Sequence, residues 1–93
     1  MADDNSIFIG NKPFMNYVTG VVMQFTTKNA STVIIKARGK YISRAVDVAE
    51  VSSKRFLEEQ VTVNDIKINS EAFTNKEGKE VRVSTIEIEL GKK

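Results

Sequence analysis

The chain predicts a two-layer α/β (α+β) fold of order βαβαββ, with a four-stranded mixed sheet, two helices on one face and a long hairpin arm built from the last two strands. Three observations lead there. Two short β-branched runs are each followed by a stretch whose apolar residues recur at helical spacing. The last third of the chain alternates apolar and polar residues in two stretches around a polar loop. Ninety-three residues also suit one modest core, so residues 1–93 read as a single domain, with 1–5 expected to be flexible.

The first strand is placed at Ile7-Phe8-Ile9, a short run stopped by Gly10-Asn11 and expected to be buried. Lys12-Pro13 then opens a helix, because proline fits the first turn, where no backbone donor is needed. Phe14, Val18, Val21, Val22 and Phe25 give that helix one apolar face, and it should end near 26–29. Thr32-Val33-Ile34-Ile35 reads as a central strand covered on both faces or nearly so, and Lys36-Ala37-Arg38-Gly39-Lys40 as the turn after it. A second helix is expected from about Tyr41 to Phe56. Its core face would carry Ile42, Ala45, Val46, Ala49, Ser53 and Phe56, with Lys40, Arg44 and Arg55 on the opposite side.

Val61 to Glu71 and Glu80 to Leu90 form the hairpin, joined by a loop containing Asn75-Lys76-Glu77-Gly78. Both strands change phase midway, from Val61 and Val63 to Ile66 and Ile68, and from Val81 and Val83 to Ile86, Ile88 and Leu90. A one-residue shift turns side chains to the other face, so bulges or a strong twist are expected near Asn64-Asp65 and near Ser84-Thr85. Ile66, Ile68, Ile86 and Ile88 are offered either to a second copy of the chain or to the monomer's own core, and the pattern leaves both readings open.

Composition narrows function. The chain has no Cys and no His, which removes disulfides, thiolate nucleophiles, the usual zinc ligands and the commonest general acid or base near neutrality. No carboxylate cluster or phosphate-cradling glycine loop stands in for them, so neither an enzyme nor a cofactor, metal or small-molecule substrate is expected. No run of apolar residues is long enough to span a membrane, and Met1-Ala2-Asp3-Asp4 is acidic where a secretory signal is basic; a cytoplasmic location is expected.

The net charge of +2 conceals a strong segregation. Residues 10–56 hold Lys12, Lys28, Lys36, Arg38, Lys40, Arg44, Lys54 and Arg55 against only Asp47 and Glu50, while both flanking segments are acidic. A basic middle of this kind suits a polyanionic partner, or else is a solvated face. Within it, Lys36, Arg38, Lys40 and Arg44 cluster where a strand ends and a helix begins. Gly39 permits a bend there, and helix N-terminal amides add affinity for anions. Arginine binds phosphate bidentately and lysine as a point charge, a combination suited to a phosphodiester backbone.

Gly10-Asn11-Lys12-Pro13-Phe14-Met15-Asn16-Tyr17-Val18, the stretch from Val33 through Lys36-Ala37-Arg38-Gly39-Lys40 to Asp47, Arg55-Phe56-Leu57 and Val83-Ser84-Thr85-Ile86-Glu87-Ile88 together resemble the Alba family of archaeal chromatin proteins. The resemblance implies a fold similar to the C-terminal domain of translation initiation factor three. It also implies a homodimer that binds double-stranded DNA, and RNA, with little sequence preference and is associated with the chromosome. Lys12, Lys36, Arg38, Lys40 and Arg44 would contact the backbone, with Asn16 and Tyr17 beside them, although Tyr17 equally suits packing. Lys76, Lys79 and Arg82 would ride on arms that follow the minor groove, or are solvated hairpin charges. Arg55, Phe56 and Leu57 would join dimers, Phe56 being read mainly as a core residue that also touches a neighbour.

Two departures stand out. Relatives often carry a lysine, reported as acetylated, where this chain has Asn11, which leaves Lys12 alone in that loop. Ser53 replaces an arginine frequent in relatives, a change expected to weaken DNA binding or dimer contacts. A role as a ribonucleoprotein subunit stays open, and a small-molecule regulatory module is the distant alternative.

Overall fold

The computed structural model describes residues 5–93 and follows the expected order: β1 (Ser6–Phe8), α1 (Phe14–Thr26), β2 (Thr32–Arg38), a 3-10 turn (Gly39–Tyr41), α2 (Ile42–Val51), a π-helical segment (Ser52–Phe56), β3 (Val61–Thr74) and β4 (Glu80–Lys92). The four strands form one mixed sheet in the order β1-β2-β4-β3. β1 runs parallel to β2, as a βαβ crossover requires, and the β3-β4 hairpin adds two antiparallel pairings. The hairpin stretches the molecule to 47 × 24 × 21 Å. The expected flexibility of residues 1–4 lies outside the described residues. Asn5, by contrast, is held, its side-chain amide donating to the Thr32 carbonyl at 3.0 Å.

Both helices lie on one face of the sheet. Val33, Ile35 and Ala37 of β2 stand opposite Leu90, Ile88 and Ile86 of β4, and all six are buried against Val18, Val21 and Phe25 of α1 and Ala45, Val48 and Ala49 of α2. Burying each large aliphatic side chain contributes about 1.5–3 kcal/mol, which holds a valine- and glycine-containing helix such as α1 that has little propensity of its own. The residues between them, Ile34, Lys36 and Arg38, project from the other face, so β2 is covered on one side only, contrary to expectation. The same alternation corrects β1. Ile9 is buried, whereas Phe8 is 66% exposed on the uncovered face.

Pro13 immediately precedes α1, with an extended ψ of 140°. Beyond the helix, Asn29 in the left-handed region (φ 55°) turns the chain toward β2. At the other crossover the strand reaches Arg38, beyond its expected end, and Gly39 makes the bend with φ +55°, a conformation that carries a steric penalty for any residue with a Cβ.

α2 corrects the expected helical face. It passes into a π-helical segment, closed by the Leu57 N–H donating to the Ser52 carbonyl at 2.9 Å. An i to i+5 turn holds one residue more than a regular turn, so the apolar phase slips by about one position. Leu57 enters the core at 1% exposure and Phe56 is left 50% exposed; Val46, which precedes the π segment, is 41% exposed because Ala45, Val48 and Ala49 form the buried face of α2. Ser53 is buried and its hydroxyl donates to the Ala49 carbonyl at 2.7 Å. It is therefore a packed helix residue whose hydroxyl is already paired within the helix.

The bulge expected near Asn64 is present. Val63 pairs with Leu90 and Asp65 with Glu89, leaving Asn64 as the extra residue. It brings Val61, Val63, Ile66 and Ile68 onto the helix side of the sheet together. The Asn64 side-chain amide fills the space that a Cβ on Gly91 would occupy. No matching bulge occurs at Ser84-Thr85, because β4 runs unbroken through those residues. Val81 and Val83 therefore project from the opposite face to Ile86 and Ile88. At the hairpin tip the Asn75 side chain accepts from the amides of Glu77 (2.9 Å) and Lys79 (3.0 Å), and Gly78 supplies φ +82°.

Candidate nucleic-acid interface

β1 and β2 are parallel, so both end at the same side of the domain, and α1 and α2 start there. The loop after β1 carries Lys12, and the turn after β2 carries Lys40. Three hydrogen bonds and two cation–π contacts tie these elements together. The buried Tyr17 hydroxyl accepts from the amides of Gly10 (2.9 Å) and Lys12 (3.1 Å). Arg44, in the first turn of α2, donates through Nη2 to the Lys12 carbonyl at 2.6 Å. Its guanidinium also lies 6.0 Å from the Phe14 ring centroid and 5.9 Å from that of Tyr17, within cation–π range.

Tyr17 and Arg44, expected beside or on the phosphate backbone, both pack against the Lys12 loop. Tyr17 is 7% exposed, and Arg44 is half-buried with its Nε lacking a hydrogen-bond partner. Both shape the loop that presents Lys12. The exposed cations at this end are Lys12 and Lys40, with the exposed Asn11 and Asn16 beside Lys12 in sequence.

Lys36 and Arg38 point from the uncovered face of the sheet. Lys36 lies 5.4 Å from the Phe8 ring centroid and pairs in register with Glu87. Arg38 forms an ion pair with Glu71 at 3.3 Å, with both side chains more than half exposed. Asp65, Lys67 and Glu89 share this face, which therefore mixes signs, and the purely cationic edge is the narrower one at Lys12 and Lys40. On the arm, Lys76 and Lys79 occupy the tip and Arg82 pairs with Ala72, while Glu71, Glu77 and Glu80 balance their charge.

The interface candidates separate in the same way. Leu57, Ile86 and Ile88 are buried in the protomer's own core and have no surface to offer a second copy. Ile66 (56% exposed), Ile68 (79% exposed) and Phe56 remain open, because β3 is the edge strand and lies beyond the cover of the helices. Arg55 is exposed, at the far end of the second helical run from Lys40 and Arg44, and so shares no patch with them. Phe8 was missed as a candidate, although strict alternation with Ile7 and Ile9 was enough to turn it outward. Among the described residues no group of three His, Cys, Asp or Glu side chains is placed to hold a metal, and no helix is long and apolar enough to cross a membrane.

A family model described as Alba matches residues 5–70. The chain belongs to the Alba family. It is 58% identical over 92 residues to "DNA/RNA-binding protein Alba" of Methanothrix thermoacetophila, covering 99% of this chain and 100% of that one. The protein of the same name from Nanoarchaeum equitans is 59% identical over 88 residues, covering 94% and 97% respectively. Among solved structures, Alba from Thermoplasma volcanium matches with a TM-score of 0.84 at 47% identity, over 94% of this chain and 99% of that one. ALBA1 from Trypanosoma brucei, at 24% identity and a TM-score of 0.68, shares the fold.

Proposed function

We propose that this Alba protein is a non-enzymatic, homodimeric nucleic-acid-binding protein that coats double-stranded DNA, and RNA, with little sequence preference and helps to organise the chromosome in the cytoplasm. One observation carries the reading. Two helix starts, the Lys12 loop and the Lys40 turn converge on one edge and are locked there by Tyr17 and Arg44. Backbone amides at helix starts and exposed ammonium groups suit phosphate oxygens and carry no base information. The names of the relatives support the same reading.

In a homodimer the exposed Phe56, Ile66 and Ile68 meet a second copy, which doubles the phosphate contacts and gives the hairpin two arms to follow the minor groove. Lys76, Lys79 and Arg82 then act locally, since acids on the same arm cancel their long-range field.

A salt titration of binding to matched DNA and RNA duplexes tests this. If Lys12 and Lys40 of each protomer reach phosphates, four contacts give a log–log slope of about −4 and a loss of roughly a hundredfold between 50 and 200 mM salt. Lys40→Ala should flatten the slope by about 2, one unit per protomer, equally for all sequences. A slope near zero would overturn the proposal. Equal affinity for the DNA and RNA duplexes supports a dual role, and RNA preference alone would point to a ribonucleoprotein subunit.

A further inference from the structure

The uncovered face of the sheet holds a groove of about 550 Å³ at the ends of β1 and β2, lined in part by Phe8, Lys36, Arg38, Tyr41, Thr85 and Glu87. Its chemistry differs from that of the phosphate-binding edge. Phe8 presents an aromatic ring, 66% exposed, on a face it shares with Ile34, Val81 and Val83 as well as with charged side chains, and exposing a ring of this size has a cost that packing would ordinarily remove. Lys36 and Arg38 project from the same face within reach of a phosphate beside a base seated on that ring. Thr85 and Glu87 supply hydrogen-bond acceptors at the groove floor. An aromatic ring on an open sheet face with cations alongside and acceptors beneath is suited to an unpaired nucleobase with its backbone phosphate.

We propose that this groove is a stacking site for one unpaired base of single-stranded RNA or DNA, distinct from the duplex-binding edge. It rests on the nucleic-acid-binding reading and adds a second mode to it. The base lies on Phe8, Lys36 turns from the ring to the adjacent phosphate, and Glu87 accepts from an exocyclic amino group or ring N–H of the base. Arg38 exchanges its exposed partner Glu71 for a phosphate, at little energetic loss because that pair is solvated. A duplex keeps its bases stacked on one another and cannot use the ring, so the site discriminates strand state.

The test compares Phe8→Ala and Phe8→Tyr with the unaltered protein on a single-stranded RNA carrying one 2-aminopurine and on a duplex of the same length. The unaltered protein should quench 2-aminopurine fluorescence. Phe8→Ala should lose that quenching and weaken single-strand binding about tenfold while leaving duplex affinity and its salt slope unchanged. Phe8→Tyr should restore both. Equal weakening on the two substrates, or no weakening on either, would overturn the stacking site. The duplex titration of the unaltered protein reads the general function separately, since its failure removes the phosphate edge and leaves the Phe8 dependence measurable on single strands.

Discussion

Removing one oxygen atom from Tyr17 tests how the Lys12 loop is held. Tyr17→Phe keeps the ring packed in the core and takes away the acceptor shared by the amides of Gly10 and Lys12. A hydrogen bond between neutral groups contributes about 0.5–1.5 kcal/mol net, and an amide left unpaired in a partly buried loop costs about as much again. Water reaches the exposed Lys12 more readily than the half-buried Gly10, so the two losses together should amount to about 1–2 kcal/mol. For a domain of this size each kcal/mol moves the melting temperature by about 4–8 °C. Thermal unfolding followed by circular dichroism should therefore fall by about 5–15 °C, with protein concentration held constant because association adds to apparent stability. Duplex affinity at low salt should fall with it, since a loosened loop must be ordered again on binding. A melting temperature within about 1 °C of the unaltered protein would refute the claim that the hydroxyl organises the loop.

Leu57→Ala should cost about 2–5 kcal/mol in denaturant unfolding, because it empties a position at 1% exposure. In the proposed homodimer, Ile68→Glu should instead leave the protomer folded and move the sedimenting species from two chains to one; a species that stays at two chains would remove β3 from the proposed contact. Glu71→Gln should change stability by less than about 1 kcal/mol, since both partners of its ion pair are exposed, yet tighten nucleic-acid binding at low salt by freeing Arg38. Gly91→Ala should destabilise by about 1 kcal/mol by displacing the Asn64 side chain, and most of that loss should vanish in the Gly91→Ala/Asn64→Gly double variant, as a thermodynamic cycle would reveal.

The order of elements, a helix start at Lys12-Pro13, a bend at Gly39, the bulge at Asn64 and the segregation of charge were all legible in the sequence, because each depends on a residue's own conformational limits or on near neighbours in the chain; that Pro13 lies just outside the helix and that Gly39 is left-handed only the structure shows. Other features depend on which surface lies opposite. Periodicity placed Ile66, Ile68, Ile86 and Ile88 on apolar faces, yet only the position of β3 at the sheet edge separates the exposed pair from the buried pair. One π turn, with no strong local signature, exchanged Phe56 for Leu57 in the core. The cluster read as Lys36, Arg38, Lys40 and Arg44 was divided by tertiary structure into two cations on a mixed-sign sheet face, one at an open edge and one packed against Phe14 and Tyr17. Local spacing tells which way a side chain points along its own element, and the partner it meets is set by elements distant in sequence.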